Sequence, residues 1–347
     1  MRRCLQLARN GMRNAAPNPM VGAVLVVDDQ IVGEGYHVKC GMAHAEVNAI
    51  ASVRDPELLK KSSLFVSLEP CSHYGKTPPC ADLIIEKGIP RVVVGCLDPF
   101  VYVSGRGVRK LQEAGVDVKV GVCEAECLEL NKHFITFHRK KRPYITLKWA
   151  QSSDGYIDAL RNSAKDGAPV IFSTPETRMR VHRLRSEHQA IMVGTRTALL
   201  DNPTLTVRHW SGPSPLRLTV DRKGVLPFDL NLFDGSQPTR VYTESPQTVS
   251  YAYNPNVTCV PLRPDEDVLM QIMSDLYQEG VQSLLVEGGS RLLESFFANG
   301  LWDEAFIEQS PVELGGGVKA PVCPVEGFRT DTIDISGRKI LRMRALK

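Results

Sequence analysis

The segments His44-Ala-Glu46 and Pro70-Cys-Ser-His-Tyr-Gly-Lys-Thr-Pro-Pro-Cys80 decide how this chain folds and what chemistry it can support. One histidine and two cysteines can supply three ligands to a tetrahedral Zn²⁺ and leave its fourth position open for water. A glutamate two residues after the histidine is not needed to hold the metal. It can take a proton from that water and pass it to a leaving amine. The pattern therefore predicts a catalytic zinc site at His44, Cys71 and Cys80, with Glu46 beside it.

Two simpler interpretations of these residues remain open. The cysteines could be a free pair in a protein core, or the site could be a structural zinc site. A structural site would be expected to have a fourth protein ligand and no spare glutamate. Zinc deaminases of nucleobases carry His-x-Glu and Pro-Cys-x-x-Cys. Here eight residues, 72–79, separate the two cysteines, so the general signature contains an insertion.

Short apolar runs alternate with helical segments around the motif. Residues 21–27 form a valine-rich run of strand length, and residues 31–37 are the returning strand after a turn. Each cysteine of the motif lies near a strand end or a helix N-terminus, where the helix dipole favours a deprotonated sulfur. The alternation predicts a three-layer α/β/α domain. Further strands are predicted at residues 63–68 and 91–95, and helices at residues 43–52, 80–87, 108–114 and 124–138.

A second domain is predicted after the basic segment Arg139-Lys-Lys-Arg-Pro143, because proline ends the preceding helix. We therefore expect domains at residues 1–140 and 143–347. The second domain lacks the dinucleotide fingerprint of Rossmann folds. Its best phosphate cradle is Gly288-Gly289-Ser290, between a strand at 282–286 and a helix at 291–299, where backbone N–H groups can face an anion. A plain strand–turn–helix connection is the alternative.

Composition fits an enzyme of ordinary globular type. The chain has 347 residues, 43% hydrophobic and 23% charged, which suits two domains that each bury a core. The formal charge of +3 is too small for a nucleic-acid footprint. Nine scattered cysteines suit a reducing compartment, and no apolar stretch resembles a signal core or a membrane span. We expect a cytoplasmic homo-oligomer, a dimer or tetramer, without nucleic-acid or membrane partners.

Several segments together resemble one known family. The segments are Asn18-Pro-Met-Val-Gly-Ala-Val, Gly33-Glu-Gly-Tyr-His37, His44-Ala-Glu-Val-Asn-Ala, the 70–80 motif and Val286-Glu-Gly-Gly289. They are similar to the bifunctional deaminase/reductase of riboflavin biosynthesis. The resemblance implies a cytidine-deaminase-like domain followed by a dihydrofolate-reductase-like α/β domain. The first would hydrolyse the 2-amino group of 2,5-diamino-6-(5-phosphoribosylamino)pyrimidin-4-one with one Zn²⁺ per chain. The second would reduce the ribosyl group of the product to ribityl with NADPH.

The resemblance also implies roles for individual residues. Without it, most of the polar ones would be taken for ordinary surface residues, turns or helix ends. The deaminase substrate contacts would be Asn18, His37, His73 and Lys76. The NADPH contacts would be Ala150, Thr197, Asp201, Gly288, Gly289 and Ser290. The reductase substrate contacts would be Arg185, Leu205, Arg208 and Glu287, with the two arginines at the phosphate, where a guanidinium can form paired hydrogen bonds.

One departure from the family keeps an alternative open. Many members carry a Ser-x-Trp-Ile-Thr stretch where this chain has Pro169-Val-Ile-Phe-Ser173. The second half could therefore be a phosphosugar-binding or regulatory module behind a deaminase. A transfer-RNA adenosine deaminase is a further alternative, which the weak net charge argues against. A structural zinc protein without activity is another.

Overall fold

The computed structural model describes residues 1–12, 14–74, 78–99, 104–246, 249–324 and 326–346. The chain divides into two compact units, Met1–Lys141 and Arg142–Lys347. Within the described residues, no helix has both the length and the apolar character needed to cross a membrane.

The first unit is built around a five-stranded sheet of order β2-β1-β3-β4-β5. β1 runs antiparallel to both β2 and β3, whereas β3, β4 and β5 are parallel. The valine-rich and aliphatic sequences of β1, β3 and β4 suit strands that are covered on both faces. The strands are β1 (Gly22–Val27), β2 (Gln30–Tyr36), β3 (Ser63–Leu68), β4 (Arg91–Cys96) and β5 (Asp117–Val120).

Helices cover the two faces of this sheet. One apolar cluster joins β1, β3 and β4 to α2, α3 and α4, and a second joins α1 and α5 to the ends of β3 and β4. The unit is therefore a three-layer α/β/α domain, as the sequence predicted. The helices are α1 (Arg2–Ala8), α2 (Ala45–Ala51), α3 (Cys80–Glu86), α4 (Arg106–Glu113), α5 (Glu124–Leu130) and α6 (Lys132–Lys140).

The single helix predicted over residues 124–138 is wrong in one respect, because it is two helices that meet at Asn131. Asn131 leaves helical geometry, with φ −105° and ψ 24°. Its side-chain amide donates to the Met20 carbonyl at 2.9 Å and accepts from the Met20 N–H at 2.8 Å. These two hydrogen bonds to Met20 compensate for the break between the helices. No local sequence pattern predicts them. The short strand β5 was also missed, since only one of its residues is half-buried and the others are exposed.

The second unit contains a nine-stranded sheet of order β11-β10-β9-β8-β12-β6-β13-β16-β15. The strands from β11 to β13 are parallel, and the C-terminal hairpin β15–β16 adds antiparallel strands at one edge. The strands of this sheet are β6 (Tyr144–Gln151), β8 (Ala190–Val193), β9 (Leu216–Val220), β10 (Thr239–Thr243), β11 (Val257–Pro261), β12 (Ser283–Glu287), β13 (Glu304–Gln309), β15 (Phe328–Ile335) and β16 (Arg338–Ala345).

Two further strands, β7 (Tyr156–Asp158) and β14 (Val318–Lys319), pair separately. Four helices flank the large sheet: α7 (Pro175–Ser186), α8 (Thr195–Asp201), α9 (Val268–Gln278) and α10 (Ser290–Ala298). α9 and α10 pack with β6 and β12 in the main apolar core, whereas Ile191 and Val193 of β8 belong to a second cluster. α8 follows β8 and α10 follows β12, so both helices begin where parallel strands end. In open α/β sheets this edge is the usual position of a ligand site.

Candidate active sites

In the first unit, His44, Cys71 and Cys80 converge on one point. The Cys71 sulfur lies 3.5 Å from His44 Nδ1, and the Cys80 sulfur lies 3.3 Å from the same nitrogen. All three ligand atoms fall within 4.8 Å of one another. Zinc–sulfur and zinc–nitrogen bonds of about 2.3 and 2.0 Å place tetrahedral sulfur and nitrogen ligands about 3.5 Å apart. The donor set and its spacing therefore fit Zn²⁺.

The local elements explain how distant residues meet. Cys71 follows the end of β3, and His44 is the residue before the first turn of α2. Cys80 is the first residue of α3, and its backbone N–H donates to the Cys71 sulfur at 3.3 Å. The N–H of Ala81 donates to the Cys71 carbonyl at 3.1 Å. These two hydrogen bonds fix the start of α3, and with it the Cys80 side chain, next to Cys71.

The two thiols polarise each other. A hydrogen bond from Cys80, together with His44, lowers the pKa of Cys71 to about 4, against the opposing effect of burial. The same bond and burial raise the pKa of Cys80. The hydrogen bond to Cys71 raises the pKa of His44. The pair thus favours ionisation of Cys71 over Cys80, and a bound cation would favour ionisation of both sulfurs.

Glu46 lies in the first turn of α2, with 3% of its surface exposed. Burial raises the pKa of Glu46 to about 7, and the nearby Cys71 sulfur contributes in the same direction. The carboxyl group is also close enough to Cys80 for a side-chain hydrogen bond. A carboxyl group with a pKa near 7 can both accept and donate a proton near neutral pH.

Asn18 and His37 lie next to this centre. Nδ2 of Asn18 is 3.1 Å from Nε2 of His37, and Nδ1 of His37 is 3.1 Å from the Ala43 carbonyl. These contacts are satisfied when Nδ1 carries the proton and Nε2 accepts. Burial lowers the pKa of His37, which favours this neutral form. The His37 and His44 rings meet edge to face at 5.5 Å. His73 is exposed, and Lys76 lies outside the described residues.

In the second unit, Thr197, Gly288 and Gly289 come together at the ends of β8 and β12. Gly288 and Gly289 have φ of 96° and 74°, which favours glycine. A β-carbon at either position would lie 3.2 Å from the Thr197 side chain. Ser290 is the first residue of α10, and Thr197 lies in the first turn of α8. Two helix N-termini thus face one edge of the sheet, an arrangement suited to an anion.

Asp201 forms an ion pair that the sequence did not indicate. Its carboxylate accepts from Arg161, whose guanidinium also donates to Asp158 at 2.9 Å and to the Leu200 carbonyl at 3.0 Å. The Arg161 side chain is only 3% exposed. Asp201 therefore has a structural partner in addition to its predicted role. Ala150 lies near the end of β6, paired with Glu308 of β13.

Arg185 and Glu287 form a second buried ion pair. Two hydrogen bonds of 2.9 and 2.7 Å join the guanidinium to the carboxylate, and a third, of 3.1 Å, reaches the Thr206 carbonyl. Burial opposes ionisation of Glu287, but Arg185 lowers the pKa of Glu287 below its usual value. Leu205 beside this pair is buried and has a φ of 54°. This left-handed backbone is unusual for leucine.

Arg208 lies on the same loop. Its guanidinium donates to the hydroxyl groups of Thr204 and Thr206, and no carboxylate pairs with it among the described residues. Its backbone N–H donates to Nδ1 of His182 at 3.0 Å. Burial and the charges of Arg185 and Arg208 lower the pKa of His182 to about 4, so this imidazole is neutral. Neither His182 nor Arg161 could be identified from the sequence, because neither belongs to a recognisable motif.

The run that departs from the family forms its own contacts. Phe172 is 3% exposed and Ile171 is 70% exposed. Ser173 Oγ donates to Glu308 at 2.7 Å, and Thr177 Oγ1 donates to the same carboxylate at 2.6 Å. Thr177 and Glu308 line a cavity of about 470 Å³ between α7 and the strands β13, β15 and β16. Thr197, Asp201 and Gly288 do not line this cavity, so it is distinct from the predicted nucleotide position.

Comparisons with known proteins agree with both units. Residues 1–96 match the family described as the cytidine and deoxycytidylate deaminase zinc-binding region, and residues 143–346 match the RibD C-terminal domain. The chain is 40% identical over 320 residues to the riboflavin biosynthesis protein RibD of Aquifex aeolicus, covering 92% of this chain and 88% of that protein. It is 35% identical over 345 residues to the Escherichia coli protein of the same name, covering 94% and 91%.

A solved structure extends this similarity to the whole fold. The diaminohydroxyphosphoribosylaminopyrimidine deaminase/5-amino-6-(5-phosphoribosylamino)uracil reductase of Thermotoga maritima is 37% identical, with a TM-score of 0.87. The match covers 99% of this chain and 97% of that one. An Acinetobacter baumannii RibD structure has a TM-score of 0.86 at 30% identity, with coverage of 100% and 98%.

Proposed function

This chain belongs to the RibD family of bifunctional riboflavin-biosynthesis enzymes, with a zinc-dependent deaminase domain and a reductase domain, and we propose that His44, Cys71 and Cys80 hold the zinc ion while Glu46 carries protons. The observation that carries this proposal is the convergence of one nitrogen and two sulfurs within 4.8 Å. The buried carboxyl group of Glu46 lies close by and is not one of these three ligand atoms. A structural site would need a fourth protein ligand.

The proposed substrate is 2,5-diamino-6-(5-phosphoribosylamino)pyrimidin-4-one. A zinc ion held by His44, Cys71 and Cys80 would supply Lewis acidity that makes a bound water molecule easier to deprotonate near neutral pH. Glu46 takes one proton from the water that attacks C2 and delivers it to the ring nitrogen. It then takes the second proton, from the hydroxyl group now on C2, and delivers it to the amine, which leaves as ammonia as its bond to C2 breaks and the C2 carbonyl forms. Asn18 and His37 hold the edge of the pyrimidine, since their mutual bond fixes the Asn18 amide. His73 and Lys76 are proposed as further contacts, with Lys76 at the phosphate.

The reductase is proposed to use NADPH at the ends of β8 and β12. Thr197, Gly288, Gly289 and Ser290 would bind the diphosphate, because their backbone lies at two helix N-termini and the glycines leave room for close approach. Hydride transfer itself is chemistry that the nicotinamide supplies. The protein has to orient the two reactants and exclude competing reactions.

Two further NADPH contacts are proposed at Asp201 and Ala150. Asp201 lies four residues after Thr197 on α8, and residues at this spacing share one helix face. Its ion pair with Arg161 fixes the carboxylate on that face. Ala150 would contribute a small side chain near the end of β6, which would leave room for the cofactor.

The phosphorylated substrate of the reductase is proposed to bind at Arg185, Leu205, Arg208 and Glu287. Arg208 offers a guanidinium without a carboxylate partner among the described residues, and nearby Arg185 repels it. An anion would relieve that repulsion, which supports a phosphate position here. Glu287, fixed by Arg185, would accept hydrogen bonds from the ribose hydroxyl groups.

A coupled assay tests the two activities together. Purified protein receives the diaminopyrimidine substrate and NADPH, and both ammonia and absorbance at the nicotinamide band are followed. The proposal expects ammonia first, then NADPH oxidation in equal amount. NADPH oxidation that requires no prior deamination, or ammonia release without any NADPH oxidation, would contradict it. NADH in place of NADPH tests the identity of the cofactor.

We also propose that the protein works in the cytoplasm and as a homo-oligomer. Its nine cysteines are free, and the zinc thiolates need a reducing environment to stay available. Light scattering on the purified chain would show a dimer or tetramer. A monomer at micromolar concentration would contradict the second part.

A further inference from the structure

Glu69 is a buried carboxylate that accepts four hydrogen bonds from backbone N–H groups of the described residues. Oε2 accepts from Asp98 at 3.3 Å and from Gly105 at 2.9 Å. Oε1 accepts from Gly107 at 2.9 Å and from Val108 at 3.2 Å. The side chain is 4% exposed. One carboxylate therefore binds the segment after β4 to the first turn of α4.

The same residue stands directly before the metal-ligand loop. Glu69 follows the end of β3, its N–H donates to the Cys96 carbonyl at 3.0 Å, and Pro70 and Cys71 come next. α4 packs closely against the residues that follow β3. A β-carbon on Gly107 would lie only 2.0 Å from the Pro70 carbonyl oxygen, so glycine is needed at this position. Three segments therefore contact one another here: the residues after β3, the residues after β4 and the start of α4. We call this contact the joint, and it comprises residues 69–70, 96–98 and 105–108.

We propose that Glu69 is a positioning residue for deamination: its carboxylate fixes the β3 exit against α4, and thereby fixes the position from which Cys71 binds the metal. The proposal rests on the function proposed above. The structure offers a reason why a carboxylate is required. Four N–H groups need acceptor lone pairs, and an ionised carboxylate supplies them from both oxygens. An amide of the same shape has one oxygen, and its NH₂ group would face N–H donors.

Two variants perturb this joint in different ways. Glu69→Gln removes half of the acceptors without changing the volume. Gly107→Ala leaves Glu69 intact but pushes α4 away from Pro70. Alanine is favoured over glycine in a helix, so a loss of activity in this variant would come from the contact and not from a weakened helix. Gly107→Ala also keeps the test available if Glu69→Gln does not fold.

Matched controls exist in the second unit. Asp221 is a buried carboxylate that accepts from the N–H groups of Val225 at 2.8 Å and Leu226 at 2.9 Å. Asp221→Asn therefore repeats the chemical change of Glu69→Gln in the unit that contains none of the proposed metal ligands. Gly316→Ala is the control for the second variant, since a β-carbon there meets nothing within 4 Å.

The experiment compares the full-length zinc protein and its variants. Changes to groups that orient metal ligands typically lower activity 10- to 100-fold. We expect such a loss in kcat for ammonia release, a KM within about threefold of the parent, and unchanged reduction of the deaminated intermediate. In cobalt-substituted protein, the visible bands should shift in both joint variants and stay in place in both controls.

A merely structural role for Glu69 would lower the melting temperature but leave kcat per metal-loaded site and the cobalt bands unchanged, and that result would overturn the proposal. The cobalt spectrum needs no substrate. Failure of the parent protein to release ammonia would therefore contradict the proposed function, while the positioning role would still be decided by the spectra.

Discussion

Replacement of Glu46 by glutamine is the sharpest perturbation of the deaminase centre. Glutamine has nearly the same shape, and Glu46 is 3% exposed, so the new amide fills the same space. Glu46 is not among the three converging ligand atoms, so zinc should remain bound. Only the capacity to accept and donate a proton is lost.

The size of the effect follows from this single loss. A positioned general base or acid contributes roughly 10²- to 10⁴-fold to a rate. At 1.36 kcal/mol per factor of ten, the barrier to deamination should rise by about 3–5 kcal/mol. The stability of the protein should not fall, because a neutral amide is less costly to bury than a carboxylate.

The assay measures ammonia release at saturating substrate, zinc content by mass spectrometry, and reduction of the deaminated intermediate. Glu46→Gln should lose the first and keep the other two. Glu86→Gln is the matched control, since that carboxylate lies in the same unit and its side chain is 68% exposed. A kcat within tenfold of the parent would remove Glu46 from the proton transfer, and loss of zinc would make it a ligand instead.

Three further outcomes test the rest of the site. Removal of zinc with a chelator should stop ammonia release and leave NADPH oxidation on the deaminated intermediate unchanged; parallel loss of both would contradict separate centres. Glu287→Gln leaves Arg185 buried without its partner, so urea unfolding should show a loss of about 3 kcal/mol, and a change below about 1 kcal/mol would contradict a buried pair. Folding lowers the pKa of His182 from 6.5 to about 4, so the unfolded chain takes up this proton at a higher pH than the folded protein does. The stability contributed by the neutral imidazole is therefore present above pH 6.5 and is lost as the pH falls from 6.5 to about 4. His182→Gln should flatten this pH dependence in thermal melts, and an unchanged slope would refute it.

The convergence of His44, Cys71 and Cys80 could be predicted from the sequence because these residues lie at the ends of helices and strands. His44 precedes a helix, Cys71 follows a strand and Cys80 begins a helix. Such positions can be read from hydrophobic patterns and from proline. Parallel strands then bring the ends to one edge, so the three-layer fold and the ligand convergence follow together.

Contacts between distant side chains could not be predicted in this way. Asn131 breaks a helix because it pairs with Met20, more than a hundred residues away. Asp201 forms an ion pair with Arg161, which lies in a segment without regular secondary structure. Glu69 directly precedes the 70–80 motif, but its hydrogen bonds depend on the arrangement of a loop and a helix start, which the sequence does not show. Periodicity carries no information about such pairs.

X-ray absorption at the zinc edge of metal-replete protein tests the central claim most directly. A shell of two sulfurs at about 2.3 Å, one imidazole nitrogen at about 2.0 Å and one lighter oxygen ligand is the expected result. The oxygen should remain in Glu46→Gln and the sulfur count should fall by one in Cys71→Ser. A closed shell of four protein ligands, or a shell without sulfur, would contradict the account.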